Sequence, residues 1–299
     1  MIHGWIVLDK PVGLGSTQAV SAVKRALREA GEPKTRVGHG GTLDPLASGV
    51  LPIAIGEATK VAGRMLDASK SYDFTIAFGA ETDTLDSEGE VIATSDVRPT
   101  TEQIAAALAR FTGEIEQIPP AYSALKIEGK PAYARARAGE DVELQPRQVT
   151  IHELTLAGSD DQSVTLSATV SKGTYIRSLA RDIARALGTV GHVTYLRRTR
   201  AGPFSLESAI SLDFLNEAAK ARDLTRAVLP LEAALDDIPA LPVTPDQAQL
   251  LRHGQRLAGF PERPGLQLAT EGSIPVALVE ATADGLQVVR GFNFPDVAE

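Results

Sequence analysis

The stretch SYDFTIAFGA, residues 71–80, alternates apolar and polar side chains without a break. Successive side chains of a strand point to opposite faces, so Tyr72, Phe74, Ile76 and Phe78 share one face of a half-buried strand. VTIHELTLAG and SVTLSATVS alternate in the same way, and HVTYLRRTR reads as another strand. Helical periods lie between these segments. Val20, Val23, Leu27 and Ala30 recur at helical spacing, with Ser16 or Thr17 as cap and Gly31 as stop. Thr100 and Gln103 have capping-box spacing. KGTY leads into a helix from about Ile176 to Leu187, ended by Gly188.

Three segments read differently. GVLPIAIG is a short buried strand in which Pro52 suggests an irregularity or a sheet edge. Residues 117–148 hold paired prolines, scattered bases and no sustained period, and read as a mobile excursion inserted into the main sheet. DDIPALPVTP carries Pro239, Pro242 and Pro245 and marks a domain boundary. Thr244, Pro245 and Gln247 then start a helix with proline at its first position. The expected domains are 1–238 and 239–299, with helices and acidic turns filling 205–237.

Composition limits the class. The 299 residues are 43% hydrophobic and 23% charged, enough for a full core in one or two domains. There is no cysteine, which excludes thiolate metal sites and fits a reducing compartment. MIHGWIVLDKP lacks the basic start and long apolar run of a signal peptide. No apolar run approaches the ~20 residues of a membrane helix. The expectation is a soluble, cytoplasmic protein. The net charge of −8 argues against nucleic acid until its distribution is read. Residues 172–200 hold Lys172, Arg177, Arg181, Arg185, Arg197, Arg198 and Arg200 against Asp182 alone. That window could meet phosphates or could be a solvated helix face.

The search for chemistry is mostly a list of exclusions. His3, His39, His152, His192 and His253 show no metal-ligand spacing. No phosphate loop, dinucleotide fingerprint or serine-hydrolase elbow is present. What remains is Asp44, in VGHGGTLDPLASG. Pro45 biases it toward extended backbone, and Gly38, Gly40 and Gly41 allow positive φ and close approach by a ligand. The carboxylate could be nucleophile, base or anchor, or simply bond nearby amides in an Asx turn. His39, Tyr72, Tyr175, Arg177 and Leu196 each have an ordinary reading as loop, core or surface residues. Their combination carries the case.

That combination resembles the TruB family of tRNA pseudouridine synthases. GHGGTLDPLASG matches the family's G-H-x-G-x-L-D-P-x-A-[ST]-G motif. VLDKPVGLGST, KSYDFTIAFGAETDTLDSEG, PPAYSALKIEGKPAYARARAG, SKGTYIRSLARDIARALG and HVTYLRRTRAGPF are similar to five further family segments, in order, over about residues 4–237. The tail, with LLRHGQRL, resembles a PUA-type RNA-binding domain, although it holds four arginines against seven acids. The resemblance implies an α/β (α+β) fold. It has a mixed central sheet, an inserted thumb at about 117–148 and a small C-terminal β-rich domain. It implies isomerisation of uridine 55 in the T-arm of tRNA, without cofactor or metal, by a monomer. Asp44 would be the catalytic carboxylate and Arg177 its partner. Tyr72 would stack on the flipped base, His39 would fill the vacated space, and Tyr175 and Leu196 would line the pocket. Lys10 and Pro11 would support the loop. Two other readings stay open: a non-catalytic tRNA-binding folding helper, and a metal-free hydrolase or lyase using Asp44 on a small molecule.

Overall fold

The computed structural model describes residues 1–123, 125–127, 129–138, 140, 144–259 and 264–294. Its centre is a nine-stranded mixed sheet. In spatial order the main strands are Gly4–Lys10, Ser48–Ile55, Gly191–Ala201, Lys70–Phe78, Ser163–Val170, Arg147–Ser159 and Gly113–Gln117. Neighbours run antiparallel except Gly191–Ala201 against Ser48–Ile55, which is parallel.

The alternating segments pair as their patterns require. Phe74 stands between Leu166 and Leu196, and Ile76 between Val164 and Val193. This face is covered by the helices Ser16–Glu29, Thr101–Leu108, Ile176–Ala186 and Leu212–Lys220. Its opposite face in that region stays polar, with Ser71 bonded to Thr169 and Thr75 to Thr165. The strands Gly4–Lys10 and Ser48–Ile55 lack alternation because both their faces are buried. Ile6 and Leu8 join the helix-covered core, while Trp5, Val7 and Val50 join a second core. That second core reaches Leu268 and Leu278 of the C-terminal sheet and Phe292 just after its last strand.

The C-terminal unit is β-rich. Ala240–Pro242, Gly265–Glu271, Ile274–Thr282 and Gly285–Gly291 form a four-stranded sheet, packed with the helix Pro245–Arg252 around its own apolar cluster. That helix and Thr101–Leu108 both start with the capping boxes read from Thr244 and Thr100.

Several expectations need correction. Neither Ser16 nor Thr17 caps the first helix. Gly15 does, with its N–H donating to the Gln18 side chain (2.8 Å). Pro52 lies inside the sheet. On one side of its strand, Ser48–Gly49 pair with Arg197–Arg198, and Ile53–Ile55 pair with Val37–His39. Pro52 sits at the break between these ladders, where a residue without an N–H is tolerated, and its carbonyl accepts from Gly40 N (2.8 Å). Residues 205–237 hold one α-helix, Leu212–Lys220, and short 3₁₀ turns. Within 117–148, the described residues form two short strands, Lys126–Ile127 and Lys130–Pro131, and the helix Ala132–Arg137. Positions 124, 128, 139 and 141–143 of that expected thumb lie outside the described residues.

Gly49 fixes the parallel crossing. Its φ is +102°, and a β-carbon there would run into the Arg198 backbone carbonyl. Gly49→Ala is therefore expected to destabilise the protein by at least ~2 kcal/mol, read as a lowered midpoint in urea with an unchanged slope. An unchanged midpoint would mean that the crossing is not tightly packed.

Candidate active site

The loop after the strand Val37–His39 is tied down from three directions. Leu43 N–H donates to Ser16 Oγ (2.8 Å), and that hydroxyl donates back to the Leu43 carbonyl (2.9 Å). The Arg198 guanidinium, almost fully buried, donates to the carbonyls of Val50 (2.7 Å), Thr42 (3.2 Å) and Gly41 (3.2 Å). Lys10, fully buried, donates to the carbonyls of Leu14 (2.7 Å), Pro11 (3.0 Å) and Pro45 (3.4 Å). Burial pushes the Lys10 amine down to about 8, with Asp44 acting in the opposite direction. Polar groups removed from water need such partners, and here nearly all of them are loop carbonyls. The loop is thus rigid by construction.

Of the three loop glycines, Gly41 adopts positive φ (+136°). Gly38 lies in a strand. Gly40 is small because a β-carbon there would press on the Met65 side chain, so its reason is packing within this chain rather than ligand approach.

Asp44 makes an ion pair. Its Oδ2 lies 2.9 Å from Arg177 Nη2, with 39% of the Asp44 side chain exposed and 6% of the Arg177 side chain. The Asx-turn alternative gives way to this contact with a distant segment. Arg177 comes from the first turn of the helix Ile176–Ala186, and its surface reading fails. It also donates to the carbonyls of Thr84 (2.7 Å) and Tyr122 (2.9 Å), and its Nη1 lies 3.4 Å from Asp86 Oδ2. Asp86 is 2% exposed and accepts from Thr84 Oγ1 (2.6 Å) and Glu88 N (3.0 Å). Tyr175, the residue that caps the start of the Arg177 helix, is held by the Gln117 side-chain amide in both directions. Tyr175 N donates to Gln117 Oε1 (2.8 Å), and Gln117 Nε2 donates to the Tyr175 carbonyl (3.2 Å).

These elements enclose a cavity of about 590 Å³, within the usual range for a small-molecule site. Asp44 and Arg177 meet Tyr72, Tyr175 and Leu196 around it. Lys70 also lines it. Burial pushes that amine down to about 8, and it donates to the carbonyls of Leu66 and Ala68. The remaining expected residues stand outside the lining. His39 ends the strand Val37–His39 opposite Ile53. Its Nδ1 is buried without a hydrogen-bond partner. Burial first, and the Arg198 charge second, lower its pKa from the ordinary histidine value. Lys10 and Pro11 sit beneath the loop.

Sequence reasoning missed Asp86, Ser16, Gln117 and Arg198 as parts of this site. Asp86 was hidden in an acidic run that reads as a turn. Its one local signal is the left-handed Leu85 (φ +63°) that re-aims the chain, and φ is not visible in sequence. The arginine-rich window also differs from expectation. Lys172 pairs with Asp67, Arg181 with Asp182, Arg185 with Glu81, and Arg197 with Asp9. With Arg177 and Arg198 engaged as described, Arg200 alone in that window makes no ion pair or side-chain hydrogen bond among the described residues.

Among the described residues, no group of three or more His, Cys, Asp or Glu is placed to hold a metal ion. None of their helices is long and apolar enough to cross a membrane.

Comparisons with known proteins place the chain in a family. Residues 24–176 match the model for the TruB family pseudouridylate synthase N-terminal domain, and residues 177–236 match the tRNA pseudouridylate synthase B C-terminal domain. The tRNA pseudouridine synthase B of Novosphingobium aromaticivorans is 62% identical over the whole of both chains. That of Zymomonas mobilis is 62% identical over 98% of this chain and 97% of its own. Among solved structures, a chain of an H/ACA ribonucleoprotein bound to a substrate RNA containing 2′-deoxyuridine aligns with a TM-score of 0.73. It shares 26% identity over 98% of this chain and 86% of its own. The chain therefore belongs to the TruB family of pseudouridylate synthases.

Proposed function

We propose that this protein converts uridine 55 in the T-arm of tRNA to pseudouridine, with Asp44 as the catalytic carboxylate. The observation that carries this reading is the Asp44–Arg177 pair, 2.9 Å apart, in a cavity walled by Tyr72, Tyr175 and Leu196. The relatives named tRNA pseudouridine synthase B support tRNA as the substrate.

In this reaction the N1–C1′ bond breaks, the base rotates, a C5–C1′ bond forms, and the proton from C5 leaves while N1 gains one. Nothing is consumed. The chain's part is to bring the base out of its stack, hold it, and supply a carboxylate. Unstacking costs a few kcal/mol. Tyr72 faces the cavity and would recover ~1–3 kcal/mol by stacking on the base. Tyr175 and Leu196 supply the apolar walls. Asp44 has the exposure a nucleophile or base needs, while Arg177 pairs with it and orients it. Arg177 is in turn held by Asp86 and two carbonyls, so Asp44 keeps its own partner without trapping a mobile cation. His39, beside the loop and neutral at pH 7, is the residue we assign to the space the base vacates. Lys10 and Pro11 support the loop. We assign residues 117–148 to a thumb over the RNA and 239–299 to a PUA-type domain.

The reading is tested by incubating the pure protein with an unmodified T-arm hairpin and mapping the product base by base. Pseudouridine at position 55 alone is expected, and unchanged uridine there would refute it.

Two further results are expected. Arg177→Ala leaves the buried Asp86 carboxylate without its cation, so it should cost stability, ~3–5 kcal/mol, as well as activity. A stable Arg177→Ala protein, measured by urea unfolding, would show that Asp86 does not depend on it. Because the folded-state pKa of His39 is depressed, its contribution to stability is complete above the unfolded value of ~6.5. That contribution is lost as pH falls through the lower folded value. Melting curves between pH 7 and 5 should therefore show an acid decline that His39→Gln lessens. Parallel curves for the two proteins would contradict it.

A further inference from the structure

In the window of seven cations at 172–200, all but Arg200 are paired or hydrogen-bonded within the protein. A cluster of unpaired positive charge lies instead at residues 24–36. Lys24, Arg25, Arg28, Lys34 and Arg36 are all exposed, and none makes an ion pair among the described residues. The same stretch holds two acids, Glu29 and Glu32, and a Glu32 oxygen accepts from Ile2 N (3.2 Å).

These side chains surround a groove. Lys24 and Arg28, one turn apart on the helix Ser16–Glu29, line it with Leu27 on one side, and Glu32, Pro33, Lys34, Thr35 and Val37 line the other, the Glu32 carboxylate being engaged by Ile2 N. The groove has a volume of about 380 Å³. Its two walls lead to the candidate active site by different routes. Val37 opens the strand that ends at His39, two residues or ~7 Å away. The helix begins at Ser16, whose hydroxyl holds Leu43, the residue before Asp44. Lys24 and Arg28 then lie ~12 and ~18 Å along that helix from the loop.

We propose that this groove binds the phosphate backbone of the same RNA whose uridine enters the Asp44 cavity, a few nucleotides from the flipped base. The inference rests on the function proposed above. Three unpaired cations with a threonine hydroxyl, rigidly joined to the catalytic loop, match a polyanion that is already anchored at that loop. Such contacts supply affinity without reading sequence. Each phosphate neutralised releases counterions, so the contacts show as a salt dependence of binding.

The test compares wild type with the triple variant Lys24→Ala, Arg28→Ala, Lys34→Ala. Binding of full-length unmodified tRNA is measured by fluorescence anisotropy between 50 and 300 mM KCl. All three side chains are exposed, and an unchanged cooperative melt verifies the fold. The variant should bind about tenfold more weakly near 100 mM salt. Its slope of log affinity against log salt should be shallower by ~2, for three lost contacts at ~0.7–0.9 each. The charge-preserving variant Lys24→Arg, Arg28→Lys, Lys34→Arg should restore both. Equal affinity and slope in wild type and triple variant would overturn the proposal. So would loss of binding to anionic phospholipid vesicles with tRNA binding unchanged. Pseudouridine mapping on the wild-type protein is scored separately. If uridine 55 stays unmodified while the slope difference persists, the catalytic reading falls and the RNA groove stands.

Discussion

One guanidinium organises the candidate site. Arg177 is almost wholly buried, and its donors reach Asp44, Asp86 and the carbonyls of Thr84 and Tyr122. A buried charge is tolerable only when each side is compensated. Here the compensation comes from three separate chain segments: the loop at 40–47, the acidic turn at 83–88, and the entry to residues 117–148. The sheet brings these segments to one end, and the cation makes their meeting obligatory. Asp44, the partner left substantially exposed, is the one free to act.

The rest of the fold can be understood as support for that arrangement. The Lys10 amine, the Arg198 guanidinium and the Ser16 hydroxyl bond loop carbonyls, and the hydroxyl also accepts the Leu43 amide, so the loop has few conformations left to lose. Gln117 does the same for Tyr175 at the helix entry. The two lowered amines, Lys10 and Lys70, follow from this design. Both are buried cations spent on backbone acceptors next to the cavity. Pre-organisation of this kind is what lets a carboxylate act without reorganising its surroundings.

Much of this was legible in the sequence. Period-two segments gave the central strands, and Thr100 and Thr244 gave two helix starts, because those signals are local. Asp44, Tyr72, Tyr175, Arg177 and Leu196 were recovered as a set through motif resemblance, and they converge on one cavity. What was not legible is the part decided by tertiary contact. Ser16 reads as a cap until the loop it holds is placed. Pro52 reads as either an irregularity or an edge, and only the break between its two ladders decides for the irregularity. Asp86 reads as a turn acid because nothing local distinguishes a buried carboxylate from a solvated one. The cations of 172–200 read as a phosphate surface or a solvated helix face until the acidic partners of Lys172, Arg177, Arg181, Arg185 and Arg197 are placed.

The central claim is that the Asp44 carboxylate performs the chemistry while the rest of the site holds the RNA. The direct measurement is Asp44→Asn, assayed for pseudouridine at position 55 and, in parallel, for tRNA affinity. The substitution keeps the side chain's shape and removes its charge. The account expects pseudouridine formation to fall by ~10⁴-fold or more with affinity nearly unchanged. Retained modification, or equal loss of binding and modification, would contradict it.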